Sequence, residues 1–283
     1  MLLAILAFLV IAALFLIAMA VRADSTLNGR LKPFMEVPIA HRGFFDNKTN
    51  APENTMKAFE LAVEAGYGIE LDVQLSKDGQ LVVFHDATLD RATKETGLLS
   101  NYSFEQLQSF PLFESNERIP LFRDVLRIVN GKVPLIIEVK PEGNWQGACE
   151  TLIKYLDDYE GVYCVESFHP LAMRWFKKNR PNVVRGQLST NYYKDNLETS
   201  WLLKLLLSNL IFNFLSKPHF IAYNYRYFNQ FGYWLCRKLS NPVNVAWTIQ
   251  TQQALDENFE KFDVFIFDSF IPAWEVTRKW FGQ

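Results

Sequence analysis

Glu70 and Asp72 stand two positions apart in GIELDVQ, residues 68–74. The run is otherwise apolar and strand-like, and alternate residues of a strand face the same side. Two carboxylates on one face repel, and burying them without a partner is costly. A divalent cation, or a Lys or Arg, is the usual solution. In LIIEVK, residues 135–140, Glu138 and Lys140 fall on one face of a second strand-like run. Three acids suited to a metal and one Lys suited to an anion point to a phosphate-processing site. Two of the four histidines, His41 in IAHRG and His85 in VVFHD, directly follow apolar strands. Imidazole titrates near neutrality, so a pair can divide the work of general base and general acid.

These side chains need a frame that gathers strand ends. From Val37 onward the chain alternates short apolar runs with helix-like stretches. The strand-like runs are Val37–His41, Gly68–Gln74, Leu135–Val139, Val162–Ser167, Val183–Leu188, Phe220–Tyr223, Val243–Ile249 and Val264–Asp268. Asp78-Gly79 is a hairpin signal, with Leu81–Phe84 returning as an extra strand. Helices are expected over Asn54–Ala65, Leu121–Val129, Gln146–Tyr159, Leu171–Asn179, Trp201–Leu215, Tyr233–Leu239, Ala254–Glu260 and Trp274–Trp280. Parallel strands need crossover connections, so regular alternation implies a parallel sheet. Eight units over about 245 residues fit an α/β fold of the closed (β/α)₈ TIM-barrel type, typically ~250 residues long. Active sites on that fold sit at the C-terminal ends of the strands. His41, Glu70, Asp72, Glu138, Lys140, Ser167, Gln187, Asn224, Trp247 and Asp268 all fall there.

Leu2–Val21 contains no charged residue. At about 1.5 Å per residue it can span a hydrocarbon core of about 30 Å. No Lys or Arg precedes it, which favours an uncleaved anchor; the alternative is a secretory signal cut near Ala18-Met19-Ala20. Arg22, Arg30 and Lys32 follow, so the positive-inside rule leans the rest of the chain toward the cytoplasm, with the extracytoplasmic side as the alternative. The expected organisation is a single-pass transmembrane anchor over residues 1–22, a polar linker over 23–36 and a barrel domain over 37–283. A net charge of −2 speaks against nucleic acid as a partner. Three scattered cysteines with no CxxC pair argue against a disulfide framework or a zinc knuckle and read as buried thiols. Nothing in the sequence specifies an oligomer.

The ordered motifs resemble the glycerophosphodiester phosphodiesterase family over nearly all of the chain after the anchor. They are His41-Arg42-Gly43, Pro52-Glu53-Asn54-Thr55, Glu70-x-Asp72, His85-Asp86 with Leu89-x-Arg91, Glu138-x-Lys140, Ser167-Phe168, Trp247-Thr248 and Asp268-x-x-x-Pro272. The resemblance implies a TIM barrel that hydrolyses glycerol phosphodiesters to glycerol 3-phosphate and an alcohol. It implies that Glu70, Asp72 and Glu138 bind Ca²⁺ or Mg²⁺; an all-oxygen acid set supports a hard cation independently. It also makes His41 and His85 the acid–base pair, acting through attack by a neighbouring glycerol hydroxyl and a cyclic phosphate that water opens. Arg42 and Lys140 then carry positive charge for phosphate oxygens. Glu53 reads as the anionic partner of Arg42. Trp247 is either an apolar wall for the substrate or a barrel-filling aromatic. Phe267-Asp268-Ser269 and Ile249-Gln250 depart from the family pattern at peripheral positions and bear on substrate preference.

His169 reads as a residue at a helix start, and His219 as structural on the opposite rim. Trp201–Leu215 is apolar around more than one stripe, so it is either a covered barrel helix or a helix that dips into a membrane surface near the site. A membrane-near substrate such as a lysophospholipid, turned over by a lysophospholipase D or sphingomyelinase-like reaction, is the alternative within this fold. A catalytically inactive membrane scaffold is the alternative of a different class.

Overall fold

The computed structural model describes residues 1–275. Its strands are β1 (Ile39–His41), β2 (Gly68–Leu75), β3 (Leu81–Val83), β4 (Leu135–Val139), β5 (Tyr163–Ser167), β6 (Arg185–Ser189), β7 (Phe220–Asn224), β8 (Val243–Ile249) and β9 (Val264–Phe267). Its helices are α1 (Leu2–Ala20), α2 (Lys32–Met35), α3 (Met56–Glu64), α4 (Phe104–Leu107), α5 (Phe122–Val129), α6 (Trp145–Leu156), α7 (Pro170–Asn179), α8 (Trp201–Ser208), α9 (Asn213–Ser216), α10 (Phe231–Ser240) and α11 (Gln252–Asn258). The strand order β1-β9-β8-β7-β6-β5-β4-β2, all parallel and closed by pairing of β1 with β2, makes a (β/α)₈ barrel. β3 lies antiparallel on the outer edge of β2. The helix expected over Trp274–Trp280 extends beyond the described residues.

The two-residue period of the strands sorts the core into layers. Ile69, Leu71, Val73, Ile137, Val139, Phe265 and Phe267 face outward and pack under the helices. Ile39, Ile136, Cys164, Val184, Phe220, Val243 and Val264 fill the floor of the barrel. One or two steps further along the same strands the inward residues become polar, and register aligns them: His41 with Glu70, Asp72 with Glu138, Glu138 with Glu166.

Residues 23–36 dock on the floor. Leu31 and Phe34 are buried with the floor cluster, and burying two such side chains contributes roughly 1.5–3 kcal/mol each. Asp24 lies 4.0 Å from both Arg185 Nη2 and His219 Nε2, which puts His219 on the rim opposite the polar layer. α1 has no buried residue, is half-buried mainly toward its C-terminal end, where Ile17 packs on the barrel, and is long and apolar enough to cross a membrane or to be a signal sequence.

The stretch 201–215 is two helices rather than one. Ser208 ends α8 because its hydroxyl accepts from Tyr192 N (2.9 Å) and its carbonyl from Tyr223 OH (2.7 Å). Leu210 then takes a φ of 57°, and α9 begins at Asn213. Tertiary hydrogen bonds outcompete a further helical turn there.

Candidate active site

β1 delivers His41 to the mouth and then turns sharply. Arg42 adopts φ 56° and Gly43 φ 85°, and a Cβ on Gly43 would sit 3.0 Å from the Ala58 backbone. A non-glycine residue in the left-handed region costs on the order of 1 kcal/mol and persists where surroundings fix it. Here Arg42 O accepts from Asn54 N (2.9 Å), and Arg42 N donates to Glu70 Oε2 (3.2 Å). Thr55 caps α3 by accepting from Ala58 N, so the loop between β1 and α3 is anchored at both ends.

The hairpin after β2 explains how His85 reaches the same place. Gly79 takes φ 75°, Ser76 N donates to Gln80 O at 3.0 Å, and β3 runs back down. Phe84 N donates to Asp72 O at 3.0 Å, so His85 follows at the level of Asp72. A satellite apolar cluster of Val82, Phe84, Leu89, Leu107 and Ile119 holds this excursion on the barrel.

Glu70, Asp72 and Glu138 converge: one carboxylate oxygen from each lies within 4.8 Å of the others, and all three residues are buried. Lys140 Nζ stands 3.1 Å from Glu138 and 3.4 Å from Asp72; Arg42 Nε is 3.6 Å from Asp72. Asn54 Nδ2 donates to Asp72 Oδ2 at 2.8 Å. A fourth acid, Glu166, is 1% exposed beside Glu138, and its Oε2 has no hydrogen-bond partner among the described residues. Nothing in its own neighbourhood of sequence marked Glu166 as special; only the register with Glu138 could have found it.

The electrostatics follow from this crowding. Burial, then Asp72 and Glu138, push Glu70 well above the carboxylate range. Burial also raises Glu138, with Asp72 adding to the effect and Lys140 opposing it; the carboxyl is pushed up to about 7. Burial and Glu138 raise Glu166. Asp72 differs: burial would raise it, but Lys140, His85 and Arg42 hold it well below the usual range. Four acids thus share Lys140 and Arg42, and three of them hold protons more tightly than normal. That is a deficit of positive charge with oxygen donors around it, which suits one hard divalent cation.

Both imidazoles are oriented by carboxylates that the sequence motifs did not assign to them. His41 Nδ1 is 2.8 Å from Asp268 Oδ2, and its Nε2 is 3.9 Å from Glu70 Oε2. Burial and Arg42 lower the His41 pKa against the pull of Asp268. His85 Nδ1 is 2.6 Å from Asp86 Oδ1. Glu53 accepts from Arg42 Nη1 at 2.7 Å, as its place in the sequence suggested, and is held down to about 2: burial opposes this, while Arg91 and Arg42 outweigh it.

The remaining expected residues divide. Trp247 faces the mouth edge-on to Phe168, ring centroids 5.5 Å apart, with its Nε1–H buried and without a partner among the described residues. Ser167 and Gln187 instead tie strand ends, through Ser167 Oγ to Val139 O (2.6 Å) and Gln187 Nε2 to Ser167 O (3.0 Å). His169 stands before α7 against Trp145. A cleft of about 540 Å³ opens beside the site between the loops after β1 and β9, with Asp268 in its wall. Cys149, Cys164 and Cys236 are free and buried.

Fold and site define a (β/α)₈-barrel enzyme with an acidic, histidine-flanked mouth. Residues 41–216 match the glycerophosphoryl diester phosphodiesterase family. The chain belongs to that family and is a phosphoric diester hydrolase acting on glycerophosphodiesters. It is 39% identical over 178 residues to a glycerophosphodiester phosphodiesterase of Caldanaerobacter subterraneus, covering 59% of this chain and 70% of the relative. It is 38% identical over 162 residues to one of Bacillus altitudinis, covering 53% and 65%. Its fold is similar to that of an Oleispira antarctica phosphodiesterase solved with the product sn-glycerol-3-phosphate, with a TM-score of 0.66 and 23% identity, over 84% of this chain and 95% of that one.

Proposed function

We propose that the chain hydrolyses glycerophosphodiesters to glycerol 3-phosphate and an alcohol by proton transfer between substrate and His41 and His85. Glu70, Asp72 and Glu138 would hold one Ca²⁺ or Mg²⁺. The observation that carries this reading is the convergence of these three buried carboxylates between the two imidazoles, with Glu70 and Glu138 crowded enough to hold protons tightly. When bound, the ion would polarise the phosphoryl group and withdraw charge from its oxygens.

The side chains have distinct tasks. Asp268 accepts the Nδ1 proton of His41, leaving the Nε2 lone pair toward the mouth; Asp86 orients His85 through Nδ1 in the same way, and the imidazole that serves as the acid carries its proton on Nε2. A lowered pKa keeps His41 neutral at pH 7 and ready as a base. One imidazole takes the proton of the glycerol hydroxyl as its oxygen bonds to phosphorus. The other gives a proton to the departing alkoxide, and the roles reverse when water opens the cyclic phosphate. Lys140 keeps its charge through Glu138 and Asp72 despite burial, and Arg42 is fixed by Glu53. Both bring positive charge to the phosphate oxygens. Trp247 walls the glycerol side and offers its unpaired N–H to the ligand.

A second reading, hydrolysis of lysophospholipids at a membrane, is favoured by the largely exposed apolar α1. In that reading α1 is a single-pass anchor, and Arg22, Arg30 and Lys32 after it favour a cytoplasmic barrel. An inactive scaffold accords poorly with a cluster of acids whose burial serves no packing end. Phosphorus NMR on a panel of glycerophosphocholine, glycerophosphoethanolamine and lysophosphatidylcholine tests the assignment. Glycerol 3-phosphate, with a transient cyclic phosphate, is expected from the glycerophosphodiesters. Absence of turnover on every diester and lysolipid with either cation supplied would reject it.

A further inference from the structure

We propose that the mouth side of the barrel carries a bilayer-docking surface, made by α8 and the start of α10, that turns the catalytic mouth toward the membrane. This rests on the reading of α1 as a bilayer anchor. The surface comprises Trp201 (70% exposed), Leu202, Leu203, Leu205, Phe231 (56%) and Trp234 (43%). Phe231 and Trp234 lie ring beside ring, centroids 6.1 Å apart. Exposed apolar side chains on this scale are unusual on a soluble face, and Trp and Phe are the residues that settle at a membrane interface.

Hydrogen bonds put these residues at the level of the site. The end of α8 is held by Ser189 Oγ to Leu207 O (2.9 Å) and Tyr223 OH to Ser208 O (2.7 Å), both from the C-terminal halves of barrel strands. α10 starts on the same rim, where Asn209 Oδ1 accepts from Gly232 N (3.0 Å) and Gln230 Nε2 (3.1 Å). The seating is tight: a Cβ on Gly232 would lie 2.1 Å from Asn209 O, so the two helices form one surface. Lys204 stands within α8 among these residues, suited to anionic headgroups.

The anchor joins the same flank. Val21 is buried, its carbonyl accepting from Asn213 Nδ2 (2.8 Å) beside Cys236. Ala23 N donates to Ser240 Oγ (3.0 Å), one turn further along α10, and Asp24 N to Pro218 O (2.8 Å) on the floor. The chain therefore descends from Val21 to Asp24, and the end of α1 packs against α9 and α10, the flank that carries the apolar surface. A bilayer around α1 would meet that surface, and a lipid-borne diester could enter the mouth from the membrane.

The test uses the full chain in vesicles of phosphatidylcholine and phosphatidylglycerol. Because the native cysteines are buried, single thiols from L202C, F231C, L9C and K132C can carry an environment-sensitive fluorophore. Lipids bearing a shallow nitroxide should quench positions 202 and 231, deeper nitroxides position 9, and neither position 132 on the floor loop. Quenching at 9 without quenching at 202 and 231 overturns the docking surface and leaves the anchor standing, as does shielding of 202 and 231 by a second copy or another protein. No quenching at 9 overturns the anchor and the orientation together. In a second arm, L202S with L205S should raise KM for vesicle-borne lysolipid about tenfold, as interfacial apolar area is lost, and leave soluble glycerophosphocholine turnover unchanged. Equal losses on both substrates, or no change on either, would contradict the proposal.

Discussion

The Arg91 guanidinium is forked on the Glu53 carboxylate, Nη2 2.6 Å from Oε1 and Nη1 3.0 Å from Oε2. Its Nε donates at the same time to Asp86 Oδ2 at 2.6 Å. Glu53 holds Arg42, and Asp86 holds His85, so one arginine couples the loop after β1 to the hairpin after β2.

Replacing Arg91 with Lys keeps the charge and loses the fork. Glu53 and Asp86 would no longer be held together, and His85 would lose its fixed orientation. kcat should fall about 10–100-fold, as for other outer partners of a reactive centre, with a smaller change in KM. Steady-state kinetics of R91K checks this; wild-type kcat would show that the coupling is dispensable.

Asp268 should act through His41. Substituting Asp268 by Asn removes the acceptor that fixes the Nδ1–H tautomer and the charge that raises the His41 pKa. kcat is expected to drop about 10²–10⁴-fold, the range of an acid–base contribution. Any residual acidic limb of the pH–rate profile should move to lower pH. In the wild type that limb should already lie below the ordinary imidazole value of 6.5, because burial and Arg42 lower His41.

The acid cluster has a sign of its own in stability. Glu138 titrates near 4.5 when unfolded and at about 7 when folded. Between those values the folded chain keeps a proton that the unfolded chain has lost, so stability falls as pH rises through that window. The metal-free protein should therefore lose several degrees of Tm from pH 4.5 to pH 7.5. Millimolar Ca²⁺ or Mg²⁺ should offset the loss increasingly as pH rises, since ligation needs the deprotonated acids. Scanning calorimetry with and without cation measures it; a metal-free Tm that rises over this range would contradict the assignment.

Glu166 should contribute charge rather than ligation. Glu166→Gln keeps the shape, removes one acid beside Glu138 and should lower the Glu138 pKa. Cation binding should then persist and survive to lower pH, whereas Glu138→Gln should abolish it. Isothermal titration across pH 5–8 distinguishes the two.

Much of this was legible because the barrel writes itself into alternation. Glu70 and Asp72 share a face by the strand period alone, and the Asp78-Gly79 hairpin signal foretold the return that carries His85. What local pattern could not give were partners brought in by neighbouring strands distant in sequence. His41 and Asp268 are 227 positions apart, and Glu138 meets Glu166 only through strand register. Composition also suggested that residues 23–36 were a polar linker, whereas Leu31 and Phe34 insert under the barrel floor. The single helix expected over Trp201–Leu215 gave way at Ser208, to which Tyr192 N and Tyr223 OH donate hydrogen bonds that no helical periodicity encodes.

The central claim is that Glu70, Asp72 and Glu138 hold one divalent cation on which glycerophosphodiester hydrolysis depends. Calorimetric titration of chelator-stripped protein, followed by glycerophosphocholine turnover on the same samples, tests it most directly. The expected result is one Ca²⁺ or Mg²⁺ per chain with activity rising in parallel, and neither binding nor activity in Glu70→Gln. Full turnover in the stripped protein, or unchanged one-to-one binding in Glu70→Gln, Asp72→Asn and Glu138→Gln alike, would contradict it.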